Sequence, residues 1–226
     1  MRVLRGRAGS VEEDRAVARA LAGDVETSGE PAVRAWTPHR QVAFGRRDTR
    51  SDGYGRAERA AEKRSFPTHE RDVGGRAVAY TGNTVAFLRV ESVEDLRHGT
   101  DERYDRAVAD LRGALRALGV EAREGEPPDA FCPGAHSLST DAGKVVGIAQ
   151  RVRQGSAAVA GIVLVRDHRE IADVLEPVYG ALDVPFDPDT VGSVAASGGP
   201  TDPTRVARAV ESALVGDREA SVERVR

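Results

Sequence analysis

Cysteine, lysine, aromatic residues and long apolar runs are all scarce in this 226-residue chain, and each scarcity removes a class of protein. A single cysteine, Cys132, excludes an intrachain disulfide framework and an all-cysteine zinc site, so a reducing cytoplasm is the expected compartment. The longest clean apolar stretch, Gly155 to Val165, is about half the ~20 residues a spanning helix needs, so no membrane segment is expected. The opening Met-Arg-Val-Leu-Arg-Gly-Arg lacks the apolar run of a secretory signal. Aromatics are 4% of residues, so the core must be built mainly from Ala, Val and Leu within a hydrophobic fraction of 40%. The 33 basic and 36 acidic residues leave a net charge of -3 with no long basic block, which argues against nucleic acid as a partner. No zinc-ligand set, phosphate-loop signature or Ser-His-Asp order can be read, and no metal is expected.

Only Lys63 and Lys144 are lysine, so 31 of the 33 basic residues are arginine. High Ala, Val and Arg with low Lys is compatible with a GC-rich genome, which is mutational bias rather than function. The bias still gives the lysines weight. Arginine stays charged at any biological pH, whereas lysine is a compact donor that can give up its proton.

Ser10 with Glu13 forms a capping box and predicts a helix through about Leu21. Short strands follow at Ala32 to Trp36 and Val42 to Phe44, then a helix near Ala57 to Lys63. Strand signals cover Phe66 to Val73, Arg76 to Tyr80 and Thr84 to Val90, separated by Gly74-Gly75 and Thr81-Gly82-Asn83. Val108, Leu111, Leu115 and Leu118 make one apolar stripe in a helix from Asp101 to Leu118, stopped at Gly119. Two apolar strands, Lys144 to Arg151 and Ala157 to Val165, precede a helix from Asp167 to about Leu182. Pro185 to Pro203 reads as a linker, Asp202-Pro203 opens a last helix, and the final ten residues read as frayed. Helices alternating with groups of hairpin strands predict an α+β fold with a mixed, largely antiparallel sheet flanked by helices. One domain over residues 1–226 is expected, with its core at about 32–191 and a C-terminal helix at about 203–215.

Three clusters carry candidate chemistry. In Arg71-Asp-Val-Gly74-Gly75-Arg-Ala77-Val78, paired glycines either form an ordinary hairpin turn or let a ligand approach backbone N–H groups. In Phe131-Cys132-Pro133-Gly134-Ala-His136, the cysteine is either a small buried hydrophobe, as a lone cysteine more often is, or a nucleophile, since it lies in a loop, where reactive groups are commoner than packing groups. His136 reads as a partly exposed polar residue. In Gly143-Lys144-Val-Val-Gly147-Ile-Ala149-Gln150-Arg151, either small residues leave room beside the sheet for a ligand or Lys144 is a surface lysine at a hairpin. Simple alternation puts Lys144 on the face opposite Gly147 and Ala149 unless the strand carries a bulge.

In this order, from about Ala32 to Val191, the clusters resemble the biotin/lipoate protein ligase and lipoyltransferase superfamily. The resemblance begins at Val42-Ala-Phe-Gly45-Arg-Arg-Asp. It continues through Arg71…Gly74-Gly75…Ala77-Val78 and Gly82-Asn83-Thr84, and closes at Gly143-Lys144-Val-Val-Gly147-Ile-Ala149-Gln150. Within the superfamily, Cys132-Pro133-Gly134…Leu138-Ser139…Gly143-Lys144 looks most like the octanoyl amidotransferases. That resemblance implies Cys132 as the acyl-carrying nucleophile, Lys144 beside it, and an acyl site lined by Arg71, Gly74, Gly75, Ala77, Gly147 and Ala149.

The resemblance further implies octanoyl or lipoyl carriers as partners, namely the glycine-cleavage H protein and the lipoyl domains of 2-oxoacid dehydrogenases. A monomer is expected, and amidotransfer needs no cofactor. Ligases of the superfamily usually carry a third glycine where this chain has Arg76, and often Asn-Asp where it has the Cys-Pro-Gly loop; both departures count against adenylation. The alternatives are an ATP- and magnesium-dependent lipoate–protein ligase, which would use Lys144 and the Gly74-Gly75 turn, and a non-catalytic lipoyl-domain binding protein.

Overall fold

A computed structural model describes residues 1–71, 75–95 and 98–225. Local signals set most of the helices. The Ser10 hydroxyl accepts from the Glu13 N–H at 3.2 Å and starts α1 (Val11–Ser28). This helix runs past the expected Leu21 because Leu21 and Val25 keep one stripe buried, and it ends at left-handed Gly29. Further along lie α2 (Tyr54–Glu62), α3 (Thr100–Ala117) and α4 (His168–Ala181). Asp202 caps α5 (Pro203–Val215), with Pro203 in its first turn.

An eight-stranded sheet contains β1 (Arg2–Arg5), β2 (Ala32–Trp36), β6 (Thr84–Val93), β7 (Arg123–Glu124), β8 (Ser137–Thr140), β9 (Gly143–Arg153), β10 (Gly155–Leu164) and β11 (Ser221–Arg224). Its order is β11-β1-β2-β6-β10-β9-β8-β7, parallel at β11-β1-β2 and antiparallel elsewhere. A second sheet, β4-β3-β5, joins β3 (Gln41–Phe44), β4 (Thr68–Glu70) and β5 (Val78–Tyr80). The expected α+β class, mixed and largely antiparallel, is the observed one.

Leu111, Leu115, Val206 and Leu214 from α3 and α5 pack with Val85, Phe87 and Val163 of the large sheet. The small sheet packs with α2, α4 and Ile162 and Leu164 of β10 in a second cluster. Leu21 and Val25 of α1 cover Leu88 and Val90 of β6. Asp14 of α1 is tied to the wholly buried Arg34 of β2, whose guanidinium stacks over Trp36 at 4.1 Å. These contacts leave a gap between the large sheet on one side and α1 with the small sheet on the other.

Four expectations change. The strand expected at Phe66 to Val73 is only Thr68–Glu70, and its last two residues lie outside the described residues. The segment Pro185 to Pro203 is not an open linker: Val191 and Val194 are buried, and Val191 bridges to Lys144. The tail is not frayed throughout, because Ser221–Arg224 pairs with β1 and Glu223 accepts two bonds from Arg2. The core also begins before residue 32, since Val3, Leu21 and Val25 are buried.

Candidate active site

The cysteine loop is held from three sides. Cys132 sits at φ +42°, a left-handed conformation that a side-chain-bearing residue keeps only when its surroundings enforce it. Its N–H donates to the Tyr179 hydroxyl at 2.6 Å, and that hydroxyl donates to the Ala77 carbonyl at 3.0 Å. Burial pushes the Tyr179 phenol well above its usual range, and the neighbouring sulfur adds to this, so the hydroxyl stays a donor. Tyr179 thus pins the loop to the residue preceding β5.

Lys144 clamps the same loop from below. Its wholly buried ammonium donates to Glu126 Oε2 at 2.6 Å, to the Phe131 carbonyl at 2.9 Å and to the Cys132 carbonyl at 3.0 Å. Three N–H groups therefore meet three acceptors, and the bond to Cys132 goes to its carbonyl oxygen. Glu126 also accepts from the Ser137 hydroxyl at 2.7 Å and the Gly134 N–H at 2.9 Å. The strand alternation expected for Lys144 is overturned by a bulge. Leu138 pairs with Val146 but Ser139 pairs with Lys144, so Val145 is an extra residue. The bulge turns Lys144 onto the face of Gly147, where a Cβ would meet Lys144 Cε at 3.7 Å.

The cation at the sulfur is Arg71. A Cβ built on Gly75 would lie 2.9 Å from Cys132 Sγ and 3.5 Å from Arg71 Nη2, so the guanidinium and the thiol crowd the same bare glycine. Burial alone would pull the Arg71 guanidinium down, but Cys132 and Tyr80 beside it outweigh burial and raise it above its ordinary value. The Arg76 N–H points at the sulfur from 3.4 Å. Arg76 is fixed in turn by Asp48, which is wholly buried and accepts from the Arg76 guanidinium at 3.1 Å and the Gly45 N–H at 3.1 Å. Gly45 must be glycine, since a Cβ there would lie 2.0 Å from the Gly75 carbonyl oxygen.

Cys132 opens into a cavity of about 790 Å³. Its floor is set by sheet register: Ile162 lies beside Gly147 and Ala86, Ala160 beside Ala149 and Leu88, and Ala158 beside Arg151 and Val90. Gly147, Ala86, Ala149, Ala160 and Ala158 are the small positions of this floor over four residues of strand, about 13 Å, between the larger Ile162, Leu88 and Arg151. Ala18 and Ala22 of α1, Ala43, Val78 and Trp36 complete an apolar slot. Arg15, Arg19 and Arg153 stand at its edge.

Of the residues singled out from sequence, Cys132, Lys144, Arg71, Gly75, Gly147 and Ala149 line one cavity. Gly74 lies outside the described residues. Ala77 is buried away from the cavity among α4 side chains and acts only through its carbonyl. His136 lines the cavity but stacks on Tyr104 at 3.9 Å rather than pairing with the thiol. Glu126, Tyr179 and Asp48 were not singled out. Glu126 lies in the loop sequence Glu-Gly-Glu-Pro-Pro and Tyr179 at a buried position of α4, and neither has a local sequence signal for its role. Only the Asp48 position, three residues after Gly45, carried a local signal. Among the described residues, no group of three His, Cys, Asp or Glu side chains is placed to hold a metal, and no helix is long and apolar enough to cross a membrane.

Gly75 is at φ +91° as well as in contact with the thiol. Gly75→Ala is expected to slow iodoacetamide alkylation of Cys132 by about tenfold, from backbone strain of 1–3 kcal/mol and displacement of the sulfur. An unchanged alkylation rate would show that the loop yields freely.

The profile of the lipoyl protein ligase A/B catalytic domain matches residues 11–197. An octanoyl-[GcvH]:protein N-octanoyltransferase of Bacillus velezensis is 29% identical over 164 residues, which is 71% of this chain and 57% of that protein. Another of the same description, from Kyrpidia tusciae, is 28% identical over 155 residues, 69% of this chain and 54% of that protein. The chain therefore spans little more than half the length of the curated relatives it matches. A T. acidophilum protein solved with bound lipoic acid superposes with a TM-score of 0.75 at 19% identity, covering 100% of this chain and 89% of the other. A lipoate-protein ligase A bound with ATP gives 0.75 at 20% identity, with coverages of 98% and 88%. At these identities the two structures establish the shared fold.

Proposed function

The chain belongs to the lipoyl protein ligase A/B catalytic-domain family, and on that premise we propose that it transfers an octanoyl group to a lysine of lipoyl-carrier domains through a thioester on Cys132. The observation that carries this reading is the thiol itself, held beside the Arg71 guanidinium at the mouth of an apolar slot. Residues 1–226 are read as one catalytic domain. Glycine-cleavage H protein and lipoyl domains are the proposed partners, and an acidic carrier surface would suit Arg15, Arg19 and Arg153 at the cavity edge.

The chemistry follows from the groups present. The thiolate is the competent nucleophile, and Arg71 supplies the positive charge next to it. Sulfur attacks the carbonyl carbon of the octanoyl-lysine amide on the donor. The C–N bond breaks, and the departing lysine nitrogen takes the proton released by the thiol. The acceptor lysine, as free amine, then attacks the thioester. Its C–N bond forms as the C–S bond breaks, and the sulfur regains its proton. Burying the seven carbons beyond the carbonyl contributes roughly 5 kcal/mol, at about 0.8 kcal/mol per CH₂. Lys144 and Tyr179 hold the loop in place while the acyl group passes.

ATP chemistry fits these residues poorly. The Lys144 ammonium has all three N–H groups engaged, and the Arg76 guanidinium, in place of a third glycine, is tied to Asp48. No nucleotide step is therefore derived, and amidotransfer through Cys132 requires none. The test is to incubate the protein with octanoylated H protein and no ATP, and to locate the acyl group by mass spectrometry. A hydroxylamine-labile octanoyl adduct on Cys132 is expected. Labelling of a lipoyl domain that needs ATP and free lipoate would favour the ligase instead.

A further inference from the structure

Resting on the thioester reading, we propose that the oxyanion formed at the acyl carbonyl is held on the side of Arg71 and Arg76, with Arg71 Nε–H as its principal donor. Acyl-transfer sites stabilise this charge with fixed N–H groups, and the backbone N–H following the nucleophile is a common source. Here that residue is Pro133, which has no N–H. The N–H of Cys132 is taken by Tyr179, the N–H of Gly134 by Glu126, and the three of Lys144 by Glu126 and two carbonyls. These donors on the cysteine side are all committed.

Across the gap the situation is reversed. Arg71 Nη2 donates to the Arg76 carbonyl at 2.6 Å, which fixes the guanidinium plane. Arg71 Nε is buried and has no partner among the described residues. Arg34 and Arg89 also carry buried guanidinium nitrogens without an acceptor, but neither lines the cavity, whereas Arg71 does, and beside a nucleophile such an N–H is an unfilled position for an incoming oxygen. Gly75 puts no side chain between the Arg71 guanidinium, which approaches it through Nη2, and the sulfur, and the Arg76 N–H, 3.4 Å from Sγ, is the second donor on the same side. Trp36 Nε1 is another unpartnered N–H on the cavity wall, but register places Trp36 three strands from Gly147 across the sheet, about 14 Å away. Arg71 is thus assigned to the reacting carbonyl. As the C–S bond forms, the carbonyl π pair moves to oxygen, opposite a cation that cannot lose its proton. The pair returns as the donor's C–N bond breaks.

The test separates carbonyl chemistry from thiol reactivity. Iodoacetamide alkylates a thiolate at a saturated carbon and forms no oxyanion, whereas octanoyl loading does. Arg71→Lys keeps the charge but loses the planar Nε–H. It is expected to cut octanoyl loading of Cys132 on the order of 10²–10³-fold, with alkylation staying within about threefold of the parent. Loading and alkylation falling together would overturn the assignment, as would unchanged loading. Arg71→Gln, which restores a planar N–H without charge, is expected to load faster than Arg71→Met; equal rates would count against the donor role. A parent protein that alkylates at Cys132 yet never acquires an octanoyl group would sink the thioester reading itself.

Discussion

Replacing Cys132 with serine is expected to lower octanoyl transfer by on the order of 10³-fold or more and to remove the hydroxylamine-labile adduct. The size of the effect comes from the surroundings of Sγ. Sulfur ionises easily, so a cation such as Arg71 meets a ready nucleophile, whereas a serine hydroxyl would need a base to take its proton. Among the described residues the two candidates beside the loop are not placed for this. Lys144 is a charged, fully engaged donor, and the His136 ring is stacked on Tyr104. Serine is nearly isosteric and keeps the bonds to Tyr179 and Lys144, so the melting temperature should hardly move. Comparing initial transfer rates with thermal melting decides the matter. Full transfer by Cys132→Ser would end the covalent mechanism.

The second large effect is on stability. Lys144→Met removes one member of a buried ion pair and leaves Glu126 facing an apolar side chain, while two loop carbonyls lose their donor. Breaking such a pair typically costs about 3–5 kcal/mol, and for a protein of this length each kcal/mol lowers Tm by about 2–4 °C. A fall of roughly 6–20 °C is expected by calorimetry, together with faster proteolysis of the cysteine loop. Glu126→Gln combined with Lys144→Met should recover part of the loss, because the buried charge is gone. A melting temperature within a degree of the parent would mean that the clamp carries no load.

How much of this was legible in the sequence depended on how local each cause is. Ser10, Asp202 and Pro203 act on the backbone within a few residues, so these helix starts were readable, as was the stripe Val108, Leu111 and Leu115; the stop at Gly29 was missed because the buried stripe of α1 continues past Leu21. Strand β11 was not, since three exposed polar residues around a single exposed Val222 make no apolar alternation and are fixed only by pairing with β1. In the candidate site, Cys132 and Lys144 stand out because each is rare and the surrounding motif resembles a family. Their relationship was not found. Lys144 bonds to the cysteine's carbonyl, and the charge next to the thiol comes from Arg71, sixty-one residues earlier. Tyr179 was invisible for the same reason: its hydroxyl matters only because the fold brings α4 against a loop forty-seven residues away.

The bulge at Val145 gives this segment an unequal tolerance of genetic change. Substitutions of Val145 by other apolar residues keep the count of residues between Lys144 and Gly147, and with it the direction in which the ammonium points. A one-codon deletion there would restore plain alternation and swing Lys144 by half a turn into the packing around Val146 and Val163. Glu126, Phe131 and Cys132 would lose their shared donor together. Across diverged copies of this gene, the spacing of the strand should therefore persist where its apolar residues drift.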